Sequence, residues 1–378
     1  MNQSLLFTPL QVGNIILPNR FVMPAMQRGY CADGRPLEAL ADYYRRRAEG
    51  GVALIIGESC AIDHPSATRQ PAAARMNPAT RDGWARCVEE VHAAGGRMLI
   101  QLWHEGALRN ADDGRTISPS GLVRPGQQNG RAASLAELAE LREAYLMAAL
   151  DAQAIGAEGV EIHSAHGYLL DQFLWSATNL RDDGYGGEQI ADRARLHAEI
   201  VSSIRAACGP EFLISVRFSQ WKEVDYAAKI ARTPAELEVF VRTLERAGVD
   251  LFHASTRRFW EPEWIGDPRG LAGWVKSFST VPVIAVGSVG LDIDIMTTFI
   301  EQADPKLQVP EAMDELEKRV AGGEFDLVAV GRALIGDPDF VHKVRENRMN
   351  EIRPFSRSDL GQLEWDSSIV EEAHDVQP

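Results

Sequence analysis

The stretch Gly159-Val160-Glu161-Ile162-His163-Ser164-Ala165-His166-Gly167-Tyr168 decides the fold. It opens on a short strand-like run, 159–162, and passes at once into two histidines, a glycine and a tyrosine. A run this short, bounded by turn residues, suits a parallel strand covered on both faces better than one with a wet face. The same unit recurs at 20–23, 52–57, 98–102, 213–216, 251–253, 283–286 and 327–330. Helical patterns lie between these runs, at 37–50, 81–94, 134–156, 192–208, 233–248, 291–302, 310–322 and 340–348. The first two end in Gly-Gly. Thr80 is placed to cap the second, and Ser134 with Glu137 three residues on reads as a capping box for the third. Eight strands alternating with helices predict an α/β fold, a single (β/α)8 TIM barrel. A doubly wound sheet would want a glycine-rich loop after its first strand, and here that strand is followed by Pro24-Ala25-Met26-Gln27. Residues 9–18, with Val12-Gly13-Asn14-Ile15 at their centre, read as an N-terminal β-hairpin under the barrel floor.

The chain has 378 residues, about 130 more than the ~250 of a minimal barrel. These extras are assigned to the hairpin, a long loop over 103–133, an aromatic loop after strand six, an added helix within 301–324, and an acidic C-terminal tail. The expected organisation is therefore a barrel domain over 1–350 and a tail over 351–378. The net charge is −15. Six of the acids (Asp359, Glu364, Asp366, Glu371, Glu372, Asp375) fall after residue 358 with no Lys or Arg among them, leaving −9 for the rest. Such acidity argues against nucleic acid or an anionic membrane as a partner. No apolar run approaches the ~18 residues of a membrane span, and Met1 to Ser4 lack a basic leader start, so a cytoplasmic location is expected. The four cysteines, Cys31, Cys60, Cys87 and Cys208, form no C-x-x-C pair, and no metal centre is expected.

In a barrel the chemistry sits at the C-terminal strand ends. After strand four come His163, His166 and Tyr168. Two imidazoles can donate to one oxygen and a tyrosine can give up a proton. A buried, satisfied histidine pair or a metal site is the competing reading. Gln101, after strand three, suits the edge of a heterocycle, although a glutamine there is commonly structural. Arg217, after strand five, is costly at a barrel mouth unless it meets an anion. Strands seven and eight end in Gly287-Ser288 and Gly331-Arg332. Barrels often bind phosphate there through backbone N–H groups, and ordinary glycine turns are the alternative.

These residues resemble the Old Yellow Enzyme family of FMN-dependent ene-reductases. The resemblance runs from Leu6-Phe7-Thr8-Pro9-Leu10 and Leu17-Pro18-Asn19-Arg20 to Gly331-Arg332-Ala333-Leu334-Ile335-Gly336-Asp337-Pro338. It is most specific at Glu161 to Leu174, followed by Asn179-Leu180-Arg181 and Tyr185-Gly186-Gly187. It implies FMN in the barrel mouth and NADPH or NADH as reductant. His163 and His166 would hold the carbonyl oxygen of a small-molecule alkene, and Tyr168 would protonate Cα. Gln101 and Arg217 would bind the flavin ring, and Gly287, Ser288, Gly331 and Arg332 the phosphate. Pro24, Ala25, Met26 and Gln27 would lie against the flavin, with Ser59 after strand two. A homodimer or higher homo-oligomer is compatible with the family.

The chain departs from the family pattern at Gln27, where a Thr or Cys is usual, and at His104-Glu105-Gly106-Ala107, where His-x-Gly-Arg is usual. No cysteine follows Cys208, so the resemblance is to members without a fused iron–sulfur domain. Trp260, near Phe259 and Trp264, is read either as a roof over the substrate pocket or as packing of a long loop. Tyr30 and Trp103 are further pocket-wall candidates. The expected function is an NAD(P)H-dependent FMN ene-reductase. A flavin dehydrogenase or demethylase running in the oxidative direction, and a non-catalytic flavin-binding barrel, are the alternatives.

Overall fold

The computed structural model describes residues 4–363. Its centre is a closed parallel barrel of eight strands: β1 (Phe21–Met23), β2 (Leu54–Ile62), β3 (Arg97–Trp103), β4 (Gly159–His166), β5 (Leu213–Lys222), β6 (Leu251–Ser255), β7 (Val283–Val286) and β8 (Leu327–Ala329). Each strand pairs with the next, and β8 closes on β1 through Val328↔Phe21 and Ala329↔Val22. The predicted (β/α)8 barrel is thus the observed fold. The strands are buried almost without a break, as their short apolar runs require.

The helices are α1 (Glu38–Glu49), α2 (Arg81–Ala93), α3 (Leu135–Ala154), α4 (Leu169–Leu174), α5 (Ile190–Arg193), α6 (Arg195–Cys208), α7 (Pro234–Ala247), α8 (Leu271–Phe278), α9 (Ile295–Ile300), α10 (Val309–Ala321), α11 (Arg332–Gly336) and α12 (Phe340–Arg345). The Ser134/Glu137 capping box is present at the start of α3, and Thr233 caps α7. Thr80 does not cap α2: its hydroxyl turns back and donates to the Arg75 carbonyl at 2.8 Å. The helical pattern at 192–208 is broken at Ala194 into α5 and α6. Helix α8 carried no sequence signal, being eight residues long and opened by Gly270 without a side-chain cap. The long stretch between β7 and β8 holds two helices, α9 and α10.

Inward side chains alternate with period two, so each strand stacks its residues in layers along the barrel axis. The floor layer is apolar: Leu54, Leu99, Leu213, Leu251, Ile284 and Leu327 pack with Val12 and Leu17 of the N-terminal hairpin. That hairpin pairs Leu10–Val12 with Ile15–Leu17, and its turn Gly13 takes a φ of 54° while lying so close to Leu213 that a Cβ would collide. Two residues further along, the layer turns polar on β3 to β6, with Gln101, Glu161, Ser215 and His253 all buried. Two residues further again stand His163, Arg217 and Ser255.

Residues 351–363, read from the sequence as part of a tail, pack on the barrel. Ile352, Phe355 and Leu363 are buried there, and Asp359 is buried in a two-pronged pair with Arg353 at 2.7 and 2.8 Å. Asp359 is therefore not a free tail charge. The other five tail acids, Glu364 to Asp375, lie outside the described residues.

Candidate active site

The polar middle layer is one hydrogen-bonded unit. Gln101 Nε2 donates to Glu161 Oε1 at 2.8 Å, Ser215 Oγ to Glu161 Oε2 at 3.0 Å, and His253 Nδ1 lies 2.8 Å from the same oxygen. Burial works against the Glu161 carboxylate. His253, Arg217 and Gln101 nevertheless hold its carboxyl below the ordinary carboxylate range. Ser59 donates to Gln101 Oε1 at 2.7 Å and fixes the amide's orientation, because Glu161 can only accept. Gln101 is thus a structural strut that still faces the cavity above it.

That cavity opens at the C-terminal strand ends and encloses about 470 Å³. Its lining brings together Pro24, Ala25, Met26, Gln27, Ser59, Gln101, His163, His166, Tyr168, Arg217, Gly287, Ser288, Gly331 and Arg332. The His163 ring centre lies 5.4 Å from that of His166 and 5.0 Å from that of Tyr168. Burial, with Arg217 next in weight, pushes His163 down to about 3 and His166 well below its ordinary value, so both rings are neutral near pH 7. Burial, reinforced by Glu223 and Glu105, pushes the Tyr168 phenol up, and it stays protonated.

The turn carrying these side chains is held from two sides. His166 and Gly167 both take left-handed backbone angles, φ 64° and 94°. Ser219 Oγ accepts the His166 N–H at 2.9 Å, and Asp171 Oδ2 accepts the Gly167 N–H at 2.6 Å. Asp171 is in turn paired with Lys222 at 2.7 Å, and neither side chain is exposed at all. Burial outweighs the lysine and pushes the Asp171 carboxyl up to about 6. Lys222→Met leaves that carboxyl buried without its cation and is expected to cost about 3–5 kcal/mol. Replacing both, Lys222→Met with Asp171→Leu, should recover most of the loss in denaturant titrations. A double variant as unstable as the single one would show that the loss does not come from the uncompensated carboxylate.

Arg217 is buried. Its Nη1 donates to the Ala25 carbonyl at 3.2 Å and its Nη2 to Ser255 Oγ at 3.3 Å, while its buried Nε has no partner. An orphaned guanidinium N–H in a cavity wall fits a ligand that accepts hydrogen bonds and carries negative charge. Across the cavity, Ser288 takes a φ of 52° beside Gly287 at 151°. Gly287 lies against Thr256, where a Cβ would collide. Arg332 donates to Thr298 Oγ1 and the Ile293 carbonyl, each at 2.6 Å, which fixes its cation at this rim. Together these groups fit an FMN: a donor and a cation for the ring, a tight backbone bend and a second cation for the phosphate.

Three predicted pocket residues lie elsewhere. Trp103 is fully buried behind Tyr168, edge-on at 5.4 Å, and does not line the cavity. Tyr30 turns away and donates to the Gly361 carbonyl at 2.9 Å. Trp260 packs edge-on against Phe259 at 5.2 Å and faces a separate hollow shared with α10. Its loop is anchored by the Phe259 N–H on the Gly287 carbonyl, which points the ring behind the rim instead of over it. The lining also includes Trp221, Ser255, Arg257 and Leu360, which the sequence reading missed. Ser255 ends β6 and could have been found by reading that strand end as the others were read. Leu360 carried no signal, since it reaches the rim from a segment distant in sequence.

A family model for NADH:flavin oxidoreductases and NADH oxidases matches residues 5–307. The chain belongs to that family. The chain is 33% identical to an NADH oxidase of Thermoanaerobacter brockii over 94% of its own length, and spans only about half (53%) of that relative. It is 30% identical to 12-oxophytodienoate reductase 7 of Oryza sativa, covering 91% of this chain and 89% of the relative. Among solved structures it resembles a point mutant of morphinone reductase in complex with tetrahydroNAD, with a TM-score of 0.79, 27% identity, and 97% and 98% of the two chains covered. Old Yellow Enzyme homologues are among its structural neighbours, and the family's cofactor is FMN with a nicotinamide reductant. Among the described residues, no helix of this family member is long and apolar enough to cross a membrane.

Proposed function

We propose that the protein is a cytoplasmic ene-reductase, using NADPH or NADH to reduce the C=C bond of alkenes activated by a carbonyl or nitro group. The observation that carries this reading is the cluster of His163, His166 and Tyr168, ring to ring within 5.0–5.4 Å, in the wall that also holds Arg217 and the Ser288/Arg332 rim. When bound, FMN supplies the hydride that adds to Cβ of the alkene. Arg217 and Gln101 would hold the flavin ring, with Pro24, Ala25, Met26, Gln27 and Ser59 along it. Gly287, Ser288, Gly331 and Arg332 would hold the phosphate.

Negative charge builds on the carbonyl oxygen as the hydride arrives. The two neutral imidazoles donate to that oxygen, and loss of one such donor is expected to cost about 10²-fold in rate. Tyr168 delivers its proton to Cα. A cavity of this size takes one planar ligand beside the flavin at a time, which supports an exchange in two steps: the nicotinamide leaves before the alkene enters. A reoxidation screen with enones, nitroalkenes and maleimides tests the substrate class. Fast reoxidation by these and none by unactivated alkenes is expected. Reoxidation by oxygen alone would overturn the reading.

A further inference from the structure

The two histidines of the cluster do not meet the cavity in the same way. His163 Nδ1 accepts the backbone N–H of Ala165 at 3.2 Å. A backbone N–H can only donate, so Nδ1 carries the lone pair and a neutral ring has its proton on Nε2. His163 therefore offers an Nε2–H. In His166 it is Nε2 that is engaged, 2.9 Å from Ser255 Oγ, and among the described residues no protein group bonds its Nδ1. The ring lies against Trp221, whose centre is 4.7 Å away at 33°, and the backbone beneath it is held by the His166 main-chain N–H on Ser219 Oγ.

A neutral imidazole has one proton to give. If His166 keeps it on Nε2, Ser255 receives it, and Nδ1 turns a lone pair toward a ligand oxygen. The pair would then offer one donor and one repulsive acceptor. If Ser255 donates instead, His166 carries its proton on Nδ1 and the ligand meets two donors. The neighbour of Ser255 favours the second arrangement. Arg217 Nη2 lies 3.3 Å from Ser255 Oγ, and a guanidinium only donates, so the serine oxygen accepts from a cation. This polarises the hydroxyl and strengthens it as a donor.

We propose that Ser255 is a positioning residue that sets the tautomer of His166, making the histidine pair a two-donor clamp for a carbonyl oxygen. The hydrogen bonds then run in one direction, from Arg217 to Ser255 to His166 to the ligand. The inference rests on the reading of the cavity as a flavin and carbonyl site.

Histidine-selective ¹⁵N NMR tests it on the wild type, Ser255→Ala and Ser255→Thr, with His166→Asn to assign the signal. The expected result is an Nδ1–H tautomer for His166 in the wild type and in Ser255→Thr, shifting toward Nε2–H in Ser255→Ala. In the FMN-loaded oxidised protein, the Kd for 2-cyclohexenone should rise about 3–10-fold in Ser255→Ala, the worth of one neutral hydrogen bond, and recover in Ser255→Thr. An Nε2–H tautomer in the wild type, or one unmoved by Ser255→Ala, would overturn the proposal. The tautomer is read on the protein as purified. A chain that takes up no FMN would thus sink the functional reading while the NMR result still decides the role of Ser255.

Discussion

Tyr168→Phe is expected to slow reoxidation by 2-cyclohexenone by about 10²–10⁴-fold, the usual worth of a positioned proton donor. Reduction by NADPH should continue at nearly the wild-type rate. The substitution keeps the ring, and with it the contacts to His163 at 5.0 Å and Trp103 at 5.4 Å, so only the hydroxyl is lost. Hydride transfer from the nicotinamide needs no proton from this residue, whereas protonation of Cα does. Stopped-flow measurement of the two half-reactions separates the steps. Equal slowing of both would mean that the tyrosine shapes the cavity and does not supply the proton.

Acidification from pH 7.5 to 5.5 is expected to cost the fold about 3–7 kcal/mol. Five imidazoles carry the effect: His104, His163, His197 and His253, all buried, and His166, half-buried. Burial is the main cause in each, because it disfavours the charged ring. His163 and His197 are pushed down to about 3. In the unfolded chain the same groups titrate near 6.5. Below that pH the unfolded chain takes up protons that the folded one refuses, so stability falls as pH falls. At pH 5.5 each ring contributes on the order of 1.4 kcal/mol, and the five together on the order of 7 kcal/mol as an upper bound. Buried carboxyls that are pushed up, Asp171 to about 6 along with Glu58 and Glu263, bind protons in the folded state and offset part of this loss. For a chain this long the net effect is a fall in Tm of about 4–9 °C. Calorimetry at constant ionic strength checks it. A Tm that is flat or rises toward pH 5.5 would contradict the burial of neutral histidines.

The barrel was legible because each parallel strand is buried on both faces and announces itself as a short apolar run between turns. The residues after each run, together with the family resemblance, gave half of the cavity wall, including Gln101, Arg217 and Arg332. Positions that depend on packing were not legible in this way. Trp260 sits on a cavity-side loop by sequence, yet the Phe259 N–H on Gly287 turns that loop outward. Thr80 has the chemistry of a cap but spends its hydroxyl on Arg75. The Asp171–Lys222 pair joins residues far apart in sequence, and only the closed barrel brings them under one turn. Period-two layering was also implicit: Glu161 and His163, or His253 and Ser255, alternate with their strand. The polar middle layer that supports Arg217 could have been read from that spacing alone.

The central claim is that this cavity binds FMN and passes electrons from a nicotinamide to an activated alkene. Anaerobic absorbance spectroscopy of the purified protein tests it most directly. The account predicts a yellow protein that is bleached by NADPH and regains its colour on addition of 2-cyclohexenone. A protein that takes up no FMN, or one that stays bleached with the enone present, would contradict it.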